Sequence, residues 1–318
     1  TKGLAGGFKP IDFSEVALRT GYCGQMGHEC AGEVLALGDT PTPADLKVGD
    51  RVALEPGVPC STCRLCRSGR YNLCPSVSFI GSAVNETPGA LVECFNHPAA
   101  FCHKLPDGVS LEEGAMVEPL CVALHATRRA RVGVGQRVLV TGAGPIGLLA
   151  ALAARAAGAS LVVLTDVSRA KLTFASRLGF EAFDASAPGL AASMEARFGH
   201  RFDVCLECCG QAAGLNLCVD AAESGGVVCI VANHPASAPA RLQEPARREI
   251  DLVGVYRYAN LYPTAIALIA NGMIDVKPLI CERRFSLAEA NEAFEYLANG
   301  EPIKVLIEPS PCLPCSDQ

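Results

Sequence analysis

A chain of 318 residues, half of them hydrophobic and 19% charged, is long enough for two domains with separate cores and too apolar for disorder. A net charge of −6 with no run of Lys or Arg argues against nucleic acid or an anionic membrane as a partner. Seventeen cysteines, an odd number that would mispair under oxidising conditions, suit a reducing cytoplasm. Apolar runs such as Ile146 to Leu152 are too short to span a bilayer. The start, Thr1-Lys2-Gly3-Leu4, lacks both the layout of a secretory signal and an initiator Met, as a processed or incomplete chain would.

In chain order, residues 1–120 are rich in Gly, Pro and Cys and carry short alternating segments. Gly32-Glu33-Val34-Leu35-Ala36-Leu37 and Asp50-Arg51-Val52-Ala53-Leu54 read as strands of a β-rich lobe with many turns. Within that lobe stand four cysteines, Cys60, Cys63, Cys66 and Cys74, in 15 residues. Disulfides at this spacing would be strained, whereas four soft thiolates close a tetrahedral shell around Zn²⁺. The expectation is a structural zinc that staples a loop.

From about residue 134 the texture changes. Val138-Leu139-Val140 reads as a buried strand, Pro145 to Ala157 as a helix, Leu161 to Leu164 as a second strand and Ser168 to Leu178 as a second helix. Val204-Cys205-Leu206, Val227 to Val231 and Leu252 to Val255 continue the strands, which predicts a doubly wound parallel sheet. Phe285 to Ala298 reads as a helix with Ser286 and Glu289 as a capping box, and residues 303–307 as a last strand returning to the first lobe. The expected domains are residues 1–120, 121–256 and a return segment, 257–318. The Cys312-Leu313-Pro314-Cys315 spacing near the end reads as a loose tail rather than a redox site.

Gly142-Ala143-Gly144-Pro145-Ile146-Gly147 follows a strand and opens a helix. In that setting Gly142 permits the tight turn, Gly144 lets the backbone approach a pyrophosphate, and Gly147 allows close helix–strand packing. Asp166 then stands at the end of the next strand, where a carboxylate accepts from a ribose diol and repels a 2′-phosphate. NAD is expected over NADP. Lys171 is a further cofactor-binding candidate, although it and Arg169 could equally greet a phosphate or be solvated residues of the helix.

Gly27-His28-Glu29 and Val117-Glu118-Pro119 mean little alone. Together with Gly49-Asp50-Arg51-Val52-Ala53-Leu54-Glu55-Pro56, Gly69-Arg70-Tyr71-Asn72-Leu73-Cys74, Phe101-Cys102-His103-Lys104-Leu105-Pro106-Asp107 and Arg248 to Tyr258, they resemble the zinc-containing medium-chain dehydrogenases, and among them the sorbitol (polyol) dehydrogenase branch. The resemblance implies a GroES-like β-rich catalytic domain beside a Rossmann coenzyme domain. It implies a catalytic zinc held by Cys23, His28 and Glu29 with Glu118 close by, and a position left open for Lewis-acid chemistry on an alcohol. Glu118, Arg257 and Tyr258 would contact the polyol, and Val231, Ala232, Asn233, Val255 and Tyr256 the cofactor. A homodimer or homotetramer would pair through the edge of the cofactor sheet, near Val227 to Val231 and Leu252 to Val255.

The chain departs from the family where Cys23-Gly24-Gln25-Met26 runs straight into Gly27-His28-Glu29. A loop, a strand, and the Ser and His usually tied to proton relay are absent between them, and Gln25 stands where the Ser belongs. Three readings follow: an NAD-dependent oxidation of sorbitol, xylitol or a similar polyol to a ketose; an impaired NAD- and zinc-binding variant of the same fold; and a threonine or alcohol dehydrogenase, disfavoured by Val255 to Tyr258.

Overall fold

The computed structural model describes residues 26–38, 46–81, 87–299 and 302–309. Cys23, Gln25 and the Cys312/Cys315 pair lie outside the described residues. The chain divides into two compact units, residues 1–118 with 262–318, and residues 119–261.

The first unit is built from short strands. β1 (Ala31–Glu33), β2 (Arg51–Leu54) and β5 (Cys102–Lys104) form an antiparallel sheet in the order β1-β2-β5, and β3 (Gly57–Val58) pairs with β4 (Ser78–Phe79). Leu46, Val52 and Leu54 bury one small core against Cys30, Phe95 and Cys102. The alternating segment from Gly32 stops being a strand at Glu33, earlier than its pattern predicts. Leu35 and Leu37 are exposed, and periodicity without a partner surface does not hold a strand.

Among the described residues four helices belong to this unit. α1 (Arg64–Arg67) lies in the cysteine loop, and α2 (Leu111–Ala115) starts in a capping box in which Ser110 Oγ accepts from Glu113 N and Glu113 Oε2 accepts from Ser110 N. α9 (Tyr262–Ala270) and α10 (Ala290–Ala298) come from the C-terminal segment. The box at Ser286 and Glu289 forms as the sequence predicts, but it caps a 3₁₀ turn, Leu287–Glu289, that leads into α10. Phe285 belongs instead to β12 (Ile280–Phe285), which pairs in parallel with β13 (Lys304–Ile307).

The second unit is the doubly wound sheet. β6 (Arg137–Thr141), β7 (Leu161–Asp166), β8 (Glu181–Asp184), β9 (Phe202–Glu207), β10 (Ala222–Ile230) and β11 (Asp251–Gly254) are all parallel, in the order β11-β10-β9-β6-β7-β8. Val138, Leu139 and Val140 have no solvent exposure, because a parallel strand covered on both faces must be apolar on both. α4 (Pro145–Ala156) buries Leu148, Leu149 and Leu152 with its alanines. α5 (Arg169–Arg177), α6 (Leu190–Phe198), α7 (Ala212–Ala221) and α8 (Gln243–Arg247) follow the later strands, while α3 (Val117–Arg129) precedes the sheet. Leu139, Val163, Met194, Phe202, Cys205 and Val228 share one core cluster. Each of the Leu, Val, Met and Phe side chains contributes about 1.5–3 kcal/mol by its burial.

Val227 to Val231, expected at an edge, lies inside: β10 is flanked by β9 and β11, so only β11 ends the sheet on that side. A single apolar run does not reveal whether another strand will pair beyond it.

One ion pair joins two central strands. Arg137 of β6 holds Asp203 of β9 through Nη2–Oδ1 at 2.5 Å and Nε–Oδ2 at 2.9 Å, and the Arg137 N–H adds a third bond at 2.8 Å. The guanidinium holds the Asp203 carboxyl below its usual range, so the pair stabilises the fold above the unfolded carboxylate pKa and is lost as pH falls through the folded one. Arg137→Met is expected to cost about 1 kcal/mol at neutral pH and to leave a shallower stability loss on acidification. Urea unfolding at pH 7 and pH 3 checks this; an acid loss as steep as the parent's would refute it.

Candidate metal and cofactor sites

Among the described residues two groups of side chains could hold a metal ion, and both lie in the first unit. The first is the four-cysteine loop. Cys60, Cys63, Cys66 and Cys74 bring their sulfurs within 4.8 Å of one another, with Cys63 and Cys66 at 3.4 Å and Cys60 and Cys66 at 3.9 Å. The backbone achieves this with the single turn of α1, whose N-cap is Cys63, and the 3₁₀ turn Tyr71–Leu73 that delivers Cys74. The N–H groups of Thr62 and Cys63 draw the Cys60 thiol down to about 6, and the Cys66 N–H lowers Cys63. Burial, with the neighbouring Cys63 and Cys74 thiols adding to it, pushes the Cys66 thiol up to about 12. Four thiolates this close repel one another unless a cation sits among them, so the donor set fits zinc.

Glu55 ties this loop to the sheet. Its Oε1 accepts from Tyr71 Oη at 2.6 Å, its Oε2 lies 2.9 Å from His103 Nε2, and its carbonyl lies 2.9 Å from His97 Nε2. His103 stacks on Tyr262 with ring centroids 4.7 Å apart, and Tyr262 donates to Leu54 O at 2.7 Å. The carboxylate is buried, with each oxygen holding one partner.

The second group is His28, Glu29 and Glu118, whose ligand atoms also lie within 4.8 Å of one another. Residues 26–29 are held by the chain opposite them: Leu91 N donates to Met26 O at 2.8 Å, and Ala90 N to Gly27 O at 2.9 Å. Gly81, in a left-handed conformation with φ +62°, closes over Gly27; a Cβ there would fall 2.1 Å from the Gly27 carbonyl oxygen. The His28 ring meets Phe79 edge-on at 5.3 Å. Glu118 arrives from the first turn of α3 and is buried, 5% exposed.

Two carboxylates this close need a cation, and one lies alongside. Lys304 of β13 reaches Glu29 Oε2 with its Nζ, and burial pushes its ammonium down to about 8. An imidazole with two carboxylates is a donor set that fits zinc, while Cys23, the remaining expected ligand, lies outside the described residues. Nearby Cys30 is pushed up to about 12 by burial, with Cys102 and Glu118 adding to the effect. Lys304 was not singled out from the sequence. Its signal was a lone cation between the apolar residues Ile303 and Val305.

The candidate cofactor residues lie in the second unit. Gly142 takes φ +91° and donates its N–H to Thr165 O at 2.7 Å. A Cβ on Gly147 would fall 1.7 Å from Gly142 O, so only glycine permits this turn to close. Gly144 is the N-cap of α4 and Pro145 its first residue, which leaves the first-turn N–H groups from Ile146 onward facing out of the helix end. Asp166 accepts from Ala143 N and from Ser168 N, both at 2.8 Å, through different oxygens, and each oxygen keeps a lone pair for a ribose hydroxyl. Arg169 is exposed and Lys171 half-buried.

Val231 and Ala232 donate their N–H groups to Glu207 O, Asn233 is exposed, and Val255 N donates to Ile230 O at 3.1 Å. Tyr256 is exposed, with the Arg257 guanidinium 4.8 Å above its ring; Arg257 itself is left-handed at φ +52°, and Tyr258 is buried. Glu207 and His234, paired at 2.7 Å, were not anticipated from the sequence.

Residues 3–107 match the alcohol dehydrogenase GroES-like domain and residues 145–271 the zinc-binding dehydrogenase domain. The chain is 40% identical over 290 residues to a sorbitol dehydrogenase of Gallus gallus, covering 90% of this chain and 80% of that one. It is 43% identical over 289 residues to an L-idonate 5-dehydrogenase of Vitis vinifera, covering 88% and 78%. Among solved structures, an Escherichia coli oxidoreductase/dehydrogenase of unknown specificity superposes with a TM-score of 0.84 at 35% identity, covering 90% of this chain and 82% of that one. The chain belongs to the zinc-containing medium-chain dehydrogenase/reductase family. Within it the chain falls in the sorbitol dehydrogenase branch, as an oxidoreductase of the polyol dehydrogenase type whose cofactors are zinc and a nicotinamide dinucleotide. No helix among the described residues is long and apolar enough to cross a membrane.

Proposed function

We propose that this protein oxidises a secondary hydroxyl of sorbitol, xylitol or a similar polyol to a ketose, passing the hydride to NAD. The observation that carries the reading is the convergence of His28, Glu29 and Glu118 in a chain that also presents Asp166 beside the glycine loop. His28, Glu29 and Glu118 would hold the catalytic zinc, and Cys60, Cys63, Cys66 and Cys74 the structural one. When bound at His28, Glu29 and Glu118, zinc supplies a Lewis acid that makes an alcohol more acidic. The chain's residues do the rest. Buried Glu118 and the Lys304–Glu29 pair set the charge around the donors, and Arg257 and Tyr258 are assigned to further hydroxyls of the substrate. With NAD bound, the oxidation would pass a hydride from the carbon to the nicotinamide and release the hydroxyl proton to solvent, which would leave the carbonyl.

NAD is preferred because Asp166 offers carboxylate lone pairs where NADP would bring a phosphate dianion. A homodimer or homotetramer paired through β11 is part of the same reading, supported by the exposure of Leu252 on that last strand. So is a reducing, cytoplasmic setting, supported by the free thiols of the described cysteines.

Initial rates with NAD and NADP over sorbitol, xylitol, L-idonate, threonine and ethanol test the proposal. Polyol turnover with NAD at least about tenfold above NADP is expected. Turnover confined to threonine, ethanol or the acid sugar would move the substrate class, and equal use of NADP would remove the role of Asp166.

A further inference from the structure

In the parallel sheet the strand order reverses between β6 and β9, so a dinucleotide lies across the strand ends at that point. Asp166, at the end of β7, marks the adenosine side, and the N-terminus of α4 after β6 takes the pyrophosphate. The other half of the cofactor therefore extends over the ends of β9 and β10. One carboxylate organises both of those ends.

Glu207, the last residue of β9, has no solvent exposure. Its carbonyl accepts the N–H groups of Val231 at 2.9 Å and Ala232 at 3.0 Å, just beyond β10. Its Oε1 accepts from Cys209 N at 2.9 Å, Gly210 N at 2.8 Å and Cys209 Sγ at 2.9 Å, which fixes the turn after β9. Its Oε2 meets His234 Nε2 at 2.7 Å. The two turns also touch, since a Cβ on Gly210 would fall 3.0 Å from Asn233 O, and a Cβ on Gly142 would fall 3.1 Å from the Cys208 carbonyl. From the cofactor loop to Asn233, the three strand ends pack side by side.

Glu207 Oε2 and His234 Nε2 share one proton across this bond. His234 Nδ1 is then buried with no partner among the described residues, a cost that packing alone does not require. His234 ties the far end of the Val231–Asn233 segment back to β9.

We propose that Glu207 and His234 form a latch that pre-positions the segment Val231–Asn233 for the nicotinamide-side half of the cofactor. Both are positioning residues: they act through the backbone they hold, and the gain is in affinity, because a segment already fixed loses less freedom on binding. The inference rests on the dinucleotide reading of this unit.

The test uses the full zinc-loaded chain, titrated calorimetrically with NAD, ADP-ribose and ADP. In His234→Ala, affinity for NAD and for ADP-ribose falls about tenfold, while ADP, which ends at the pyrophosphate, binds as it does to the parent. His234→Gln, whose amide N–H still reaches Glu207, recovers most of the loss. Parent-like NAD binding by His234→Ala would overturn the latch alone. So would an equal loss for all three ligands, the mark of a loosened domain. A parent chain that binds ADP but neither NAD nor ADP-ribose would overturn the dinucleotide reading and the latch with it.

Discussion

Replacing His28 by Ala is expected to remove about one zinc ion per chain and to lower kcat/KM for polyol oxidation by at least about a thousandfold. The imidazole is the one nitrogen donor in its group; without it Glu29 and Glu118 remain, and Glu29 already shares an oxygen with Lys304. Two carboxylates, one of them neutralised by an ammonium, make a weak zinc site. The ring meets Phe79 edge-on, and His28 supplies no ligand to the four-cysteine group. Zinc content after dialysis, kcat/KM and the thermal midpoint should therefore separate: the first two fall and the third stays near the parent's. Unchanged zinc content in His28→Ala would show that this group does not hold the metal.

Cys66→Ser is expected to act the other way, through stability rather than chemistry. The segment it staples contains almost no core. α1 has no buried residue, and the 3₁₀ turn that follows buries only Asn72. A loop without apolar burial cannot offset its own conformational entropy, so the metal has to supply the ordering. Loss of one thiolate opens the shell, and with it goes the anchor of Tyr71 on Glu55 and, through Glu55, of His103 and β5. A thermal midpoint lower by about 10 °C or more is expected, with the same drop in the parent when a strong chelator strips this site. A Cys66→Ser protein that melts with the parent would show that the loop holds itself.

The sequence already determined the parts of this protein whose signals are local. Four cysteines at short spacing can reach one point whatever the rest of the chain does, because a single turn of helix and a 3₁₀ turn cover the distance. The strand, glycine turn and helix from Arg137 to Ala156 are likewise contiguous, and a buried parallel strand has no choice but to be apolar on both faces. Ser286 and Glu289 announced their capping box for the same reason. What local pattern overstated was the strand from Gly32: alternation continues to Leu37, but the strand ends at Glu33, and after it only Val34 still bonds Asp50 and Gly49 across the turn.

The tertiary structure alone decided which residues far apart in the chain meet. His28 and Glu118 are 90 positions apart and converge only after the fold brings the first turn of α3 beside residues 26–29. Lys304 reaches Glu29 across 275 positions, and its place in a strand of apolar residues gave no hint of the carboxylate it faces. Glu207 and His234 looked like a strand end and a loop residue until the parallel pairing of β9 with β10 set their side chains 2.7 Å apart. Buried charges need partners, and the chain's spacing does not say where those partners come from. Sequence fixes what a short segment can do alone; the packing of distant segments decides which charge each buried group is given.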